Sequence, residues 1–515
     1  MKINLINPYL NLNMSQKIAE YEDLKERMRN LKLLETSISV LGWDMRTYMP
    51  KGAAQQRGSQ LGYLTNIYHD FLVSEKTRNL LKKCSNNPQI MENEIYRRNI
   101  ELWQRAYDRE SKLPADLVKE LTKQETKTEM LWEKAKGKSD YAMVMPELKA
   151  LFELLKKKAN LLNPDKDMYD VMLDLYEKNV NQEIINKFFG KLKTGVIDIV
   201  KKVANSEIKA NPELIRIKTP IENQRKISKF IMEYLKMDPM RSRVDETEHP
   251  FTTGYADDVR ITTHYLEDDP MGSFYSVFHE AGHATYELNL PKEHLWTAIG
   301  ESVSMGIHES QSRFFENLIG KSPEFLKFAY PKLNEYIPGL NKINLQDFIL
   351  AVNSVIPSKI RIYADEVTYN LHIIIRYELE RDLFGGKITF EELPHVWNEK
   401  MESYLSQKIE RDAEGVLQDI HWYGGAFGYF PDYALGNIYN GQMLWAMKKD
   451  IPNYDELLLN GEPSKILDWL KDKVHSIGFL YDPVDLVQHI SGVEPDAKYF
   501  LDYLYDKFGK LYNFK

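Results

Sequence analysis

The spacing of apolar residues along most of the chain is that of amphipathic helices. Between residues 16 and 41, apolar side chains recur at steps of three and four residues. The same spacing, with charged residues on the other faces, runs through residues 94–107, 115–134, 141–161 and 182–204. Glycines and prolines are scattered, and neither a fixed-length repeat nor a low-complexity linker divides the chain. The pattern predicts a mainly α-helical protein that forms one continuous body.

One region departs from this pattern. Residues 249–254 are typical of a loop, and residues 259–265 alternate and are rich in β-branched side chains, which predicts a strand. Asp269 followed by Pro270 is a favourable N-cap and first helical residue, so we expect a helix over residues 270–288. A lone strand beside that helix would have free edges, and free edges bind extended peptides through main-chain hydrogen bonds.

The predicted helix over residues 270–288 carries the sequence His-Glu-Ala-Gly-His. His279 and His283 are four residues apart, so their imidazoles project from one helix face and can occupy two positions of a tetrahedral zinc ion. Glu280 lies beside the first histidine, where it can reach a metal-bound water as a general base. With 12 histidines in 515 residues, about 0.02 copies of this motif are expected by chance, so it strongly indicates a metal site.

A catalytic zinc ion needs a third protein ligand, which we expect downstream on another element. Glu309 lies 26 residues after His283, which leaves room for the end of one helix, a return loop and a second helix. Glu301, Glu316 and His308 are competing candidates for this position. Spacing alone favours Glu309 without excluding the other three.

Composition narrows the class of protein further. The net charge of −8 argues against a general nucleic-acid binder, and no apolar run is long enough for a transmembrane helix. The single cysteine, Cys84, excludes an internal disulfide framework and fits a cytoplasmic location. Residues 1–14 differ from a secretory signal and are predicted to be a short extension ahead of the domain.

Six ordered motifs and further matches towards both ends together resemble the carboxypeptidase Taq family of metallocarboxypeptidases. The motifs are His249-Pro250-Phe251, Asp258-x-Arg260-x-Thr262, His279-Glu280-x-x-His283, His308-Glu309-Ser310-Gln311, Ala364-Asp365 and Gly415-x-x-Gln418-Asp419-x-His421-Trp422. The resemblance covers nearly everything after Met14. It implies a largely helical fold with a deep central groove, a small antiparallel β-sheet beside the zinc helix, and a homodimer. It also implies that Glu309 is the third ligand, and the family tolerates cobalt or manganese in place of zinc.

Roles for the remaining candidate residues follow from the chemistry of removing a C-terminal residue. Preorganised donors must stabilise an oxyanion, and His421, Tyr429 and Tyr433 flank a glycine-rich segment suited to this. Resemblance to the wider group of helical zinc peptidases supports a histidine and a tyrosine in this role. The substrate carboxylate favours arginine, with Arg361 as first choice and Arg260 as second. The resemblance to the carboxypeptidase Taq family implies that the motifs of His249 and Arg260 shape the closed end of the groove.

The prediction is therefore a cytoplasmic metallocarboxypeptidase of broad specificity that acts on peptides and binds neither nucleic acid nor membranes. We expect one domain over residues 15–515, with a helical lobe (15–245) and a lobe carrying the metal site (246–515). Two alternatives remain: an endo-acting zinc oligopeptidase of the same helical class, and a peptide-binding protein without catalysis. An amide-blocked C-terminus distinguishes the first alternative, because only an endopeptidase would cleave such a substrate.

Overall fold

The computed structural model describes residues 18–515, and over that range the chain is mainly helical. No helix in this range is both long and apolar enough to cross a bilayer. The α-helices are α1 (Ala19–Arg46), α2 (Ala54–Val73), α3 (Glu75–Ser85), α4 (Pro88–Met91), α5 (Glu94–Ser111), α6 (Ala115–Lys138), α7 (Met145–Leu162), α8 (Met168–Asp174), α9 (Gln182–Asn205), α10 (Ile221–Tyr234), α11 (Pro270–Leu288), α12 (Met305–Arg313), α13 (Pro323–Tyr336), α14 (Leu345–Val352), α15 (Tyr369–Phe384), α16 (Leu393–Leu405), α17 (Pro431–Asp450), α18 (Tyr454–Leu459), α19 (Ser464–Lys473), α20 (Pro483–Ser491) and α21 (Lys498–Tyr512).

The five helices predicted from apolar spacing are confirmed as α1, α5, α6, α7 and α9. The segment predicted as one helix over residues 141–161 is a short 3₁₀ turn, Tyr141–Met143, followed by α7. The start of the first predicted helix, at residues 16 and 17, lies outside the described residues, as does the predicted extension over residues 1–14. Each of these helices buries one apolar face, so its apolar residues recur at helical spacing and the helix can be predicted from the sequence.

Helix α11 begins and ends where the sequence predicts. The Asp269 carboxylate accepts a hydrogen bond from the backbone N–H of Gly272 at 3.1 Å, and Pro270 occupies the first turn. Buried residues lie on all sides of this helix, from Met271 to Leu288. A helix that is buried all round lies inside the molecule rather than on its surface, so α11 is a central element.

Beside α11 lies a three-stranded sheet of β1 (Ser242–Glu246), β2 (Thr252–Tyr255) and β3 (Asp258–Thr263). Its order is β1-β3-β2, with β3 parallel to β1 and antiparallel to β2. The small sheet is therefore mixed, rather than antiparallel throughout. The interpretation of residues 249–254 as loop is wrong for Thr252–Gly254, because β2 is too short to show an alternating pattern.

The predicted strand is β3, and it is not alone. Both of its edges are paired within the sheet, so it offers no free edge to a peptide. Its side chains from Val259 to Thr263 are largely buried against α11. The strands β1 and β2 were not predicted because both are short and carry charged or glycine residues.

The described residues form two hydrophobic cores. The larger takes side chains from Leu117 to Tyr512 and surrounds α11, whereas the smaller takes side chains from Tyr21 to Trp103 together with Ala298. Ala298 lies in a 3₁₀ turn between α11 and α12, so the smaller core packs against the connection between these two helices. The predicted division into lobes at residue 245 stays a prediction.

Candidate metal centre

Three predicted ligand residues converge between α11 and α12. Nε2 of His279 lies 3.7 Å from Oε2 of Glu309, and Nε2 of His283 lies 3.6 Å from the same oxygen. One ligand atom from each residue lies within 4.8 Å of the others. Two imidazole nitrogens and one carboxylate oxygen fit a metal ion that keeps a fourth position open for water or substrate. The histidine side chains are about one-fifth exposed, at 21% and 18%, so solvent reaches this position.

Two glycines let the helices that hold the ligands approach one another. A Cβ atom on Gly282 of α11 would lie 2.5 Å from the backbone oxygen of Gln311 in α12. A Cβ atom on Gly436 of α17 would lie 3.0 Å from Cβ and Cγ of Glu309. The first distance is shorter than packed atoms tolerate, and the second is tighter than ordinary van der Waals contact. Glycine at these two positions therefore sets the separation of α11, α12 and α17, and with it the position of Glu309.

The three competing candidates for the third ligand have other partners. Nδ1 of His279 donates to Oε2 of Glu316 at 3.0 Å, which leaves Nε2 of the imidazole free for a metal. Nδ1 of His283 lies 2.5 Å from Nδ1 of His308. Glu301 lies 3.5 Å from Nζ of Lys32 on α1. Of the four candidates, only Glu309 has a side-chain oxygen within the cluster.

Arg313 connects the third ligand to the carboxylate behind His279. Its Nε donates to Oε1 of Glu309 at 2.8 Å, and its Nη1 lies 3.1 Å from Oε2 of Glu316. Lys321 donates to the other oxygen of Glu316 at 2.7 Å. Burial by itself would raise the pKa of Glu316, but Lys321 and Arg313 outweigh burial and hold it well below its usual value. Glu316 is therefore ionised and can fix the orientation of the His279 ring.

Glu280 lies on the same helix, with its side chain against the sheet. The residue is 6% exposed, and its Oε2 accepts a hydrogen bond from the hydroxyl of Thr252 on β2 at 2.6 Å. The same hydroxyl also contacts the backbone oxygen of Glu280 at 3.0 Å. Burial raises the pKa of Glu280 above its ordinary value. Thr252 was not recognised in the sequence because its strand was not.

His421, Tyr429 and Tyr433 form one cluster at the start of α17. Nε2 of His421 lies 3.2 Å from the hydroxyl of Tyr433, and the rings of Tyr429 and Tyr433 meet edge to face with centroids 5.3 Å apart. Burial lowers the pKa of His421 to about 4, so the imidazole is neutral at pH 7. Burial and the charge of Glu309 raise the pKa of Tyr429, so its hydroxyl keeps its proton.

Arg361 belongs to a buried charge network next to this cluster. Its Nε donates to Oδ1 of Asp419 at 2.9 Å, and its Nη1 donates to the hydroxyl of Tyr369 at 2.9 Å. Arg376 binds the other oxygen of Asp419, at 2.5 and 2.7 Å. The Tyr369 ring also lies against the guanidinium of Arg313, with 4.4 Å between the ring centroid and Cζ. Contacts therefore run without a break from Glu309 through Arg313 and Tyr369 to Arg361.

The other two predicted substrate-binding residues lie apart from this network. Arg260 on β3 forms two hydrogen bonds of 2.8 Å with Asp258 and lies over the ring of Trp43 from α1. His249 is exposed in the loop before β2. Within residues 18–515, no hydrogen bond, ion pair or ring contact joins either residue to the metal ligands.

Asp365, in the Ala364-Asp365 motif, accepts hydrogen bonds from Val367, Thr368 and Ile356 and so stabilises the backbone around it.

Comparison with known proteins agrees with the geometry of this site. The family model for the carboxypeptidase Taq (M32) metallopeptidases matches residues 23–508. The chain belongs to this family. Carboxypeptidase 1 of Bacillus subtilis (strain 168) is 38% identical over 495 residues, which cover 96% of this chain and 98% of that protein. Thermostable carboxypeptidase 1 of Thermus thermophilus is 36% identical over 505 residues, covering 96% and 99% of the two chains.

The fold is shared as well. The crystal structure of an M32 carboxypeptidase from Deinococcus radiodurans R1 superposes with a TM-score of 0.93 at 29% identity, covering 96% of this chain and all of that one. Family membership and the mainly helical fold class are thus confirmed. The chain is a metallocarboxypeptidase, a hydrolase of peptide bonds that depends on a divalent metal.

Proposed function

We propose that this metallocarboxypeptidase removes C-terminal residues from peptides of varied sequence, with zinc as its metal and Glu280 as general base. The observation that carries the proposal is the convergence of His279, His283 and Glu309 beside a buried glutamate on the same helix. When bound, a zinc ion lowers the pKa of its water from about 15.7 to near 7 and polarises the scissile carbonyl. Cobalt or manganese would also suit two imidazoles and a carboxylate.

The surroundings of Glu280 suit it to moving a proton. Thr252 occupies Oε2, so Oε1 is the oxygen left to take a proton from the attacking water. Burial raises the pKa of the carboxyl group, which brings it closer to that of a base that works near neutral pH. The same carboxyl group would then pass the proton to the leaving amine.

The oxyanion of the tetrahedral intermediate would be stabilised by hydroxyl and imidazole donors from the loop before α17 and its first turn. Tyr429 and Tyr433 keep their protons because burial raises the pKa of both hydroxyls. His421 is neutral, so it serves as a hydrogen-bonding group beside Tyr433 rather than as a cation. Each such donor lowers the activation barrier by about 3 kcal/mol when it is preorganised.

Arg361 is the candidate for the substrate's C-terminal carboxylate. Arg361 and Arg376 share the carboxylate of Asp419, so the ion pairs of this buried cluster, within residues 18–515, hold two guanidiniums against one carboxylate. Such a cluster attracts a further anion, and Nη1 of Arg361, whose hydrogen-bond partner among the described residues is the neutral Tyr369, has the capacity to bind it. Asp258 already neutralises Arg260, which supports Arg361 over Arg260.

Release of free amino acid from an N-blocked dipeptide such as Ala-Arg tests the activity. The assay would be run after chelation, after addition of zinc or cobalt, and on Glu280→Gln. We expect metal-dependent release in the wild type and a loss of about 10²- to 10⁴-fold in kcat/KM in the variant, with its metal retained. Cleavage of a longer, C-terminally amidated peptide alone would indicate an oligopeptidase. No cleavage of either substrate by metal-loaded protein would indicate a non-catalytic binder.

We also propose that the enzyme is a cytoplasmic homodimer, with peptides rather than nucleic acids or membranes as partners. The support is the resemblance to a family of homodimers, the net charge of −8 and the absence of a disulfide at the buried Cys84. Light scattering coupled to size-exclusion chromatography measures the mass directly. A mass near 60 kDa would contradict the dimer, because one chain has a mass of 60.4 kDa.

A further inference from the structure

His308 lies behind the second metal ligand rather than beside the metal position. Its Nδ1 is 2.5 Å from Nδ1 of His283, and its Nε2 is 2.9 Å from Oε1 of Glu287. The His308 side chain is 19% exposed and that of Glu287 is 13% exposed, so both are largely removed from water. Both ring nitrogens of His308 have partners, so neither is free to bind a metal.

The positions of the protons in the hydrogen-bonded series His283–His308–Glu287 follow from the groups at its two ends. Nε2 of His283 must keep its lone pair in order to bind a metal, so the proton of its ring lies on Nδ1. That N–H donates to Nδ1 of His308, which must then accept. The proton of His308 consequently lies on Nε2 and is donated to the Glu287 carboxylate. With a metal on Nε2 of His283, this arrangement gives each donor an acceptor.

The two histidine ligands thus have different supports. His279 is held by an ionised carboxylate, Glu316, which Arg313 and Lys321 fix in place. His283 is held by the imidazole of His308, which Glu287 orients from its far side. Glu287 is the last residue but one of α11 and His308 directly precedes Glu309 in α12, so this support also joins the C-terminal turn of α11 to the N-terminal half of α12.

We propose that His308, oriented by Glu287, is a positioning residue that fixes the metal-binding tautomer and ring orientation of His283 and so determines how tightly the metal is held. This inference rests on the proposed assignment of His279, His283 and Glu309 as ligands. Supports of this kind change metal affinity by about 10- to 100-fold when they are removed. Loss of the acceptor on His308 would leave the Nδ1–H of His283 unpaired in a buried site.

The decisive measurement is metal affinity, determined by competition with a chromophoric chelator for Zn²⁺ and by the visible spectrum of the Co²⁺-loaded enzyme. His308→Phe keeps a ring but removes the acceptor, and we expect it to weaken Zn²⁺ binding about 10- to 100-fold. His308→Asn places an amide oxygen near the position of Nδ1, and we expect it to recover most of the affinity. Glu287→Ala, which removes the far support without changing a group that contacts a ligand, should weaken binding by a smaller factor.

His475 provides a matched control. It is a second buried histidine, and its ring centroid lies 5.2 Å from that of Tyr286, the same distance as that of His308. Its nitrogens face Gln311 and Asn289 rather than a ligand. His475→Phe therefore repeats the change of side chain and its effect on packing, and we expect metal affinity to stay within about twofold of the wild type.

The outcomes separate this inference from the proposed ligand set. Wild-type protein that binds no Zn²⁺ would overturn the ligand assignment itself. Tight binding by the wild type with equal binding by His308→Phe would overturn only the role of His308, as would equal weakening by His475→Phe. If circular dichroism of the metal-free protein shows that His308→Phe does not fold, the metal affinities of Glu287→Ala and His308→Asn test the inference instead. Wild-type affinity in Glu287→Ala together with weak binding in His308→Asn would then contradict the inference.

Discussion

At the residue scale, His421 has a property that its sequence context does not reveal. Burial lowers its pKa to about 4, compared with about 6.5 for an unfolded histidine. Between these values the unfolded chain binds a proton that the folded chain does not. Folding therefore carries no penalty from His421 above pH 6.5, and it loses about 1.4 kcal/mol per pH unit as the pH falls from 6.5 towards 4.

Comparison of the wild type with His421→Asn isolates this effect, because asparagine does not titrate. We expect the difference in unfolding free energy between the two proteins to shift against the wild type as the pH is lowered from 7 to 4.5. Denaturant unfolding at several pH values measures that difference, and other titrating groups cancel between the two proteins. A difference that is independent of pH would show that His421 is protonated in the folded state at the same pH as in the unfolded chain.

Asp419 is a second residue whose environment decides its role. Burial alone would raise its pKa, but Arg376 and Arg361 outweigh burial and hold its pKa well below the usual value. Asp419→Asn would leave two buried guanidiniums without a counter-charge, so we expect it to lower the unfolding free energy by about 3–5 kcal/mol. Asp258→Asn is the control, since Asp258 is 55% exposed and its one ion pair within residues 18–515 is with Arg260. Its loss should cost less than about 1 kcal/mol, and equal costs in the two variants would contradict the argument.

Individual site residues could be predicted from the sequence where the residues that act together lie close together along the chain. His279, Glu280 and His283 share one helical turn, so their spacing identified them without any knowledge of the fold. Spacing alone left Glu309 among three competitors; the family resemblance implied it, and the partners of Glu316, His308 and Glu301 agree with that choice. Partners such as Thr252 and Asp419 could not be assigned from spacing, because they meet their targets 28 and 43 positions away in the chain.

At the element scale, the separation of α11 and α12 is set by Gly282. A Cβ atom there would meet the Gln311 oxygen at 2.5 Å and Cα of Ser312 at 2.6 Å, and backbone atoms cannot swing away as a side-chain end can. Gly282→Ala should therefore push α12 outwards, lower the unfolding free energy by about 1–3 kcal/mol and weaken metal binding. Thermal unfolding of the metal-free protein and a Zn²⁺ titration measure the two effects separately.

The matched control for Gly282→Ala is Gly58→Ala. Gly58 lies in the exposed part of α2, where a Cβ atom would have no other atom within 4 Å beyond its own helix and chain neighbours. Alanine is the better helix former, so this variant should gain about 0.5–1 kcal/mol and bind metal as the wild type does. Unchanged metal binding in Gly282→Ala would show that the contact between the two helices does not position Glu309.

Helices with one buried face were predicted well, and the sheet was not. The apolar spacing of α5, α6 and α9 repeats over five to seven turns, whereas β1 and β2 have five and four residues. Strand order also depends on contacts that no local pattern encodes. The loop that carries His421 shows the same limit: Trp132 and Lys136 of α6 donate to the backbone oxygens of Leu417 and Gln418, more than 280 positions away.

At the scale of the whole molecule, the metal position takes its ligands from two helices and lies against a third. Two ligands come from α11 and one from α12, and α17 packs against Glu309 through Gly436. Two buried carboxylates, Glu280 and Glu309, lie close together at this position, since burial and the charge of Glu309 both raise the pKa of Glu280. A divalent cation would offset the repulsion among them, so the folded state should bind the metal far more tightly than the unfolded chain does.

Metal loading should consequently raise the stability of the entire domain. A ligand present at about 100 times its dissociation constant stabilises the folded state by about 2.7 kcal/mol, and chelation should remove this gain reversibly. Calorimetry of the protein with Zn²⁺, with a chelator, and with Zn²⁺ restored measures the change. His283→Asn should lose the response to metal, whereas His395→Asn, which replaces a histidine that is 76% exposed, should keep it. A response that survives in His283→Asn would place the stabilising metal elsewhere, because one imidazole and one carboxylate bind too weakly to produce it.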